Sequence, residues 1–310
     1  MPDNANNSYK DTKRKKWHDY HKRGIYMLTV NVDGKGDPKR IDRHTLLGFL
    51  EGDYQALQGS SDYPHVVLSK LGLAVRNIII PKIHVHNPNV QVWKTCIMPD
   101  HIHLIVCVET DFEGKRNLGT VVSGFKGGVS RAYYQIQEGL PVTGENDYET
   151  SGVPCKRNPK LVPQFEEGYN DRILSGRGQL KNWQNYLSDN PRRLAVKRAH
   201  RNFFTVVNQF NIMGKDCQII GNRFLWDIPN KVAVICHSAY TEADYKQYRE
   251  EWLACGEAGG VLVSAAVSPW EKEVMHEAIE RGYCVIYLKV NGFPELYKPC
   301  KRDFDICAEG

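Results

Sequence analysis

The chain is 310 residues long, 41% hydrophobic and 25% charged, with a net charge of +5, the balance of a soluble globular protein with room for one large or two ordinary domains. No apolar run approaches the roughly 18 residues of a membrane-spanning helix, and the basic N-terminus lacks the apolar stretch of a secretory signal. The nine cysteines are scattered and form no C-x-x-C pair, so a disulfide framework and a zinc ribbon are both disfavoured and a cytoplasmic location fits best.

The charge is unevenly spread. Residues 231–310 carry 9 Lys and Arg against 13 Asp and Glu, which leaves +9 on residues 1–230. Positive charge concentrated on one part of a chain suits a phosphate-bearing partner, although a solvated basic face gives the same count.

Residues 1–23, with Lys13-Arg14-Lys15-Lys16 at their centre, predict a flexible basic arm. The apolar, β-branched run 24–32 predicts a strand, followed by a region rich in Gly, Asp and Pro. A further strand falls at 65–69, and 71–80 fits either a helix or a strand. The strongest β signal is 90–108, a hairpin turning near Pro99-Asp100. Apolar side chains at Val121, Val122, Phe125, Val129, Ala132 and Tyr133 predict a helix over 118–137. Residues 138–163 are rich in Gly, Pro, Asn, Asp and Glu and predict a polar surface insertion.

A second helix is predicted from about 178 to 190. Pro191 disfavours helical geometry in the residue before it and can open a further helix over 192–201. Beyond residue 230, strand, helix, strand, helix and strand follow at 231–237, 242–255, 260–265, 269–281 and 284–289. This pattern predicts a small parallel α/β domain of Rossmann-like type over 229–310. Its junction with the preceding domain, 24–228, is expected near 226–231.

The chemistry concentrates in two places. His101 and His103 stand one residue apart in MPDHIHLIV. On a strand they point to one face, while Ile102 and Leu104 point to the other. Two imidazoles on one face are either half-buried polar residues or two-thirds of a divalent metal site. Tyr186 and Asn190, four apart in YLSDNP, share a helix face, which sets a phenol beside a carboxamide oxygen. A hard cation such as Mg²⁺ or Mn²⁺ accepts carboxamide oxygen alongside imidazole and leaves positions for substrate oxygens. Such an ion polarises a scissile phosphate, and a tyrosine attacking that phosphate conserves the bond energy as a phosphotyrosine. No G-x-G-x-x-G pattern is present, and no organic cofactor is expected.

In this order along the chain, MPDHIHLIV, GFKGGVSRA, QFEEGYNDRIL and NYLSDNP resemble the single-tyrosine HUH transposases, above all the REP-associated tyrosine transposases, over residues 24–201. The resemblance implies that His101 and His103 bind the metal with Asn190 as third ligand, and that Tyr186 forms a 5′-phosphotyrosine. It also implies an α+β fold, an antiparallel sheet with helices packed on it (ferredoxin-like, RRM-like), in a homodimer. The implied partner is single-stranded DNA with hairpins, which is cut and rejoined.

Lys126 and Arg131 on the first predicted helix, and Arg192, Arg193, Lys197 and Arg198 after Pro191, are candidates for the DNA backbone, a contact that would make affinity fall with salt. Trp183, Phe203 and Phe204 fit either base stacking or core packing. In the C-terminal domain the loop before Pro269 follows a parallel strand, where open α/β sheets bind ligands. That domain bears a faint resemblance to nucleotide-binding domains of the DNA-processing-protein type, and a structural or partner-binding module fits it equally. The expected function is metal-dependent cleavage and rejoining of single-stranded DNA. Its rivals are a hairpin-binding protein that does not cleave, and a replication-initiator or relaxase nickase with the same chemistry.

Overall fold

A computed structural model describes residues 15, 17–33, 44–143, 164–294, 297 and 299–309. Most of the expected basic arm and residues 144–163 of the expected insertion lie outside the described residues. The chain divides into two compact units, Met1–Ala195 and Val196–Gly310.

In the first unit the strands are β1 (Gly24–Asn31), β2 (Gly48–Glu51), β3 (His65–Leu68), β4 (Val90–Ile97), β5 (His101–Val108) and β6 (Asn170–Ile173). β2 and β3 form a hairpin, and the other four make one antiparallel sheet in the order β4-β5-β1-β6. β1 and β5 are central, so they are covered on both sides and read as nearly continuous apolar runs. Ile102, Leu104, Val106 and Val108 project to one face and enter the main core. His101, His103, Ile105 and Cys107 therefore project to the other.

Residues 70–86, which the sequence leaves between helix and strand, are helical. They comprise α1 (Lys70–Ala74), a π-helical turn (Val75–Ile79) and α2 (Ile80–His86). Leu71, Ala74, Val75, Ile79 and Ile83 are buried at helical spacing, and the Ser69 hydroxyl caps the first turn by accepting from Gly72 N. A Cβ at Gly72 would lie 2.0 Å from the Leu47 carbonyl oxygen. Leu47 in turn donates its N–H to Pro99 O at 3.1 Å, bracing the turn that precedes His101. Gly72→Ala is accordingly expected to destabilise the protein by about 1–3 kcal/mol through overpacking. Helix propensity alone would make the same change favourable by about 1 kcal/mol, so denaturant titration reads the sign directly.

The helix α3 (Leu118–Gln137) matches its expected bounds and buries Val121, Val122, Phe125, Val129 and Ala132 against the sheet. Helix α4 (Gln179–Ala199) corrects the expectation of a break at Asn190, because it runs through Pro191 without ending. Leu187, Asn190 and Arg193 are all buried, at three-residue spacing across the proline. Covering that face outweighs the cost of the proline, which deprives the Leu187 carbonyl of its donor four residues on.

The second unit contains the hairpin β7 (Val207–Ile212) and β8 (Lys215–Ile219). Its parallel sheet has the order β11-β10-β9, formed by β9 (Lys231–Ala233), β10 (Val261–Ser264) and β11 (Cys284–Tyr287). The crossovers are α5 (Glu242–Glu257) and α6 (Pro269–Glu280), and α7 (Lys301–Glu309) follows. Leu262 of β10 packs with Val234, Trp252, Leu253, Val274 and Met275 in a core of the unit's own. The strand expected over 231–237 is paired only to Ala233, after which Val234 N still bonds Val263 O. The units divide after Ala195 rather than near 226–231, because residues ahead of β9 pack with C-terminal elements: Phe204 stacks on Phe304 at 4.6 Å. Among the described residues no helix is long and apolar enough to cross a membrane.

Candidate functional site

The site lies on the sheet face opposite the main core. The rings of His101 and His103 stand 4.6 Å apart, inclined at 74°. Directly paired residues on antiparallel strands share a face. Thr29 of β1 and Cys96 of β4 both pair with His103 and so flank it, and Asn31 pairs with His101.

Both imidazoles are oriented through Nδ1. The Thr29 hydroxyl lies 2.9 Å from His103 Nδ1 and 3.6 Å from Met27 Sδ. His101 Nδ1 donates to Asp100 Oδ1 at 2.7 Å. Burial opposes ionisation of Asp100, but His101 and His44 outweigh it and hold the carboxyl below its ordinary range. With Nδ1 of each ring engaged by a protein partner, the nitrogen each histidine leaves for a cation is Nε2.

Helix α4 is laid across this face by a second apolar cluster. Met27, Ile105, Leu174 and Leu187 form its centre, and Cys96, Leu180, Trp183 and Tyr186 pack around them. The Tyr186 ring meets His103 edge-on at 5.9 Å and Trp183 at 5.2 Å, and the Arg193 guanidinium sits 5.3 Å from its centroid. Burial pushes the Tyr186 phenol above its ordinary value, and the positive charge of Arg193 works against that shift.

Asn190 follows one turn later and is 7% exposed. Its carboxamide lies beside the Cys96 thiol, which burial pushes up to about 12. A neutral thiol is a weak acceptor, and among the described residues the Asn190 side-chain nitrogen is buried without a hydrogen-bond partner. Cys96 thus touches the helix at Asn190 and faces His103 across the sheet, tying the two candidate donors to one spot.

The residues present fit a hard divalent cation. They supply two imidazole Nε2 atoms, and a buried carboxamide whose oxygen and nitrogen exchange places on a half-turn about χ2. Among the described residues no three His, Cys, Asp or Glu side chains converge as a ligand set.

The structure brings four of the sequence candidates together: His101, His103, Tyr186 and Asn190. Of the candidates for the DNA backbone, Arg193 touches one of these four side chains, the Tyr186 ring. Lys126 extends from α3 and donates to the carbonyls of Glu166 and Gly168, fastening the segment that leads into β6. Arg131 lies on the same helix, which packs against the main core. Arg193, 4% exposed, stacks on Tyr186 rather than facing solvent, and Arg192 makes a two-pronged ion pair with Asp189. Lys197 and Arg198 fall in the last turn of α4, beyond the division between the units. Trp183 packs on Tyr186, Phe203 stacks on His200, and Phe204 stacks on Phe304.

Thr29, Cys96 and the ring contact of Arg193 escape sequence reading. Each becomes visible only once strand register and the path of α4 are known, and Asp100 is signalled by standing directly before His101.

No protein-family model and no curated protein match the chain. Solved structures similar to part of it include a REP-associated tyrosine transposase bound to a REP hairpin, 12% identical, with a TM-score of 0.30, covering 57% of this chain and 72% of that one. Another is a candidate transposase from Deinococcus radiodurans, 13% identical, with a TM-score of 0.28, covering 57% and 97% of the two chains.

Proposed function

We propose that the protein is a metal-dependent nickase and strand transferase for single-stranded DNA, a transposase with an HUH-type core on the antiparallel sheet. The observation that carries this reading is the packing of Tyr186 against His103: a phenol from one helix meets an H-x-H pair from a strand more than 80 residues earlier in the chain. The ordered sequence blocks around these residues supply the reaction class.

His101, His103 and Asn190 would hold Mg²⁺ or Mn²⁺, which when bound polarises the scissile phosphate and orients it for in-line attack. Tyr186 Oη attacks phosphorus, an Oη–P bond forms, and the P–O3′ bond breaks. The 3′ oxygen leaves and is protonated, while the phenol proton passes to solvent. The 5′-phosphotyrosine that remains keeps the bond energy for rejoining. Arg193 holds the attacking ring in place through its face. Tyr186 packs against His103 of its own chain, an arrangement that suits attack within one protomer.

The test is incubation with labelled single-stranded DNA bearing a hairpin, in the presence of Mn²⁺. The expected product is a denaturation-resistant adduct that chelator prevents. Tight hairpin binding insensitive to chelator, with no adduct, would establish the non-cleaving alternative. The orienting role of Thr29 gives a second check. Thr29→Val keeps the side chain's shape but deletes the hydroxyl partner of His103 Nδ1, and Mn²⁺ affinity is expected to fall about 10–100-fold, as read by titration of free Mn²⁺ with electron paramagnetic resonance.

A further inference from the structure

The edge strand β4 carries an irregularity beside this site. Val92 pairs with Val106 and packs on the main core, yet the next paired residue is Lys94, opposite Ile105. Trp93 is the extra residue of a β-bulge, in which two residues of one strand oppose a single residue of the other. Ile105 belongs to the cluster beneath α4, so the bulge turns Trp93 and Lys94 toward the face that bears the histidines. The Lys94 ammonium donates to Ser188 Oγ on α4, which places that side chain beside Tyr186's own helix. Trp93 is 46% exposed and belongs to neither apolar cluster of its unit. A regular strand would need no insertion here. Bulges at edges next to active sites re-aim side chains, and this one presents an indole and an ammonium together.

We propose that Trp93 and Lys94 form a subsite for the unpaired nucleotide adjoining the scissile phosphate, with the indole stacking on the base and the ammonium meeting its phosphate. The inference rests on the single-stranded DNA reading above and names the contact that reading lacks. Ile105 lies two residues from His103, about 7 Å along the strand, so the subsite adjoins the phosphate position without overlapping it. Residues 1–230 carry +9, which suits a polyanion. Stacking tolerates any base, because each has a π-face.

The experiment uses the full chain with Tyr186→Phe, so that binding is read without cleavage. Fluorescence anisotropy compares a labelled hairpin carrying unpaired flanks with the same hairpin lacking them. Trp93→Ala is expected to weaken the flanked hairpin about tenfold or more and to leave the flankless one unchanged, with Trp93→Phe keeping most of the affinity. Lys94→Gln is expected to lower the salt slope of flanked binding by about one. Equal affinity of wild type and Trp93→Ala for the flanked hairpin overturns the inference, as does equal loss on both hairpins. A changed oligomeric state with both affinities unaltered overturns it in favour of self-association through the edge strand. The two readings fail separately: an adduct on wild-type protein without flank-dependent loss leaves Tyr186 standing and removes the subsite, and flank-dependent loss without an adduct does the reverse.

Discussion

On the proposed reading, Tyr186→Phe is expected to abolish the covalent adduct with hairpin DNA and to leave the thermal midpoint of the protein where it was. The substitution removes one oxygen and keeps the ring, so the contacts with Trp183, His103 and the Arg193 guanidinium persist. What is lost is the nucleophile. Removing a nucleophile from an assembled site costs on the order of 10³–10⁶ in rate, which on a denaturing gel reads as disappearance of the shifted band. An adduct that survives in Tyr186→Phe would transfer the chemistry to another residue and sink the assignment. The pH dependence carries a sign as well. The proposed nucleophile is the phenolate, and burial holds the phenol above its ordinary value despite Arg193. Adduct formation by the wild type should therefore rise with pH through neutrality and continue rising toward the ordinary tyrosine range, with no plateau near pH 7.

The parts of this site that sequence makes legible are those encoded by local period. The alternation of MPDHIHLIV places both histidines on one face before any fold is known, and a four-residue spacing on a helix does the same for Tyr186 and Asn190. The long amphipathic pattern of α3 likewise survives intact in its expected bounds. Local rules fail where tertiary burial decides. Pro191 signals a helix end, yet Leu187, Asn190 and Arg193 are buried on both sides of it, and the uninterrupted helix is what keeps Arg193 over the Tyr186 ring. The basic cluster after Pro191 reads as a DNA-facing surface by charge alone, whereas Arg192 is spent on Asp189 and Arg193 on an aromatic face. Thr29 and Cys96 carry no motif. They matter because register puts them opposite His103, and register is a long-range property.

Leu187→Ala is expected to be the most damaging apolar truncation near the site, at a cost of about 2–5 kcal/mol. Leu187 is 2% exposed and wedges α4 onto Met27, Ile105 and Leu174. Among the described residues this cluster has four buried members, far fewer than the core on the other face of the sheet, so few neighbours can collapse into the void. A domain holds only about 5–15 kcal/mol in total, and denaturant unfolding of the unit bearing the sheet should shift well beyond experimental error. The functional consequence follows from geometry. Tyr186 precedes Leu187 in the chain, and its 5.9 Å approach to His103 depends on how deeply α4 is seated. Adduct formation should therefore fall under conditions where the variant is still folded, while Mn²⁺ affinity, which depends mainly on His101 and His103 from the strand, falls less. Leu187→Met, which conserves volume, is expected to cost under about 1.5 kcal/mol and to restore most of the adduct. If Leu187→Ala forms adduct at the wild-type rate while folded, helix seating does not position the nucleophile, and the apolar cluster serves stability alone.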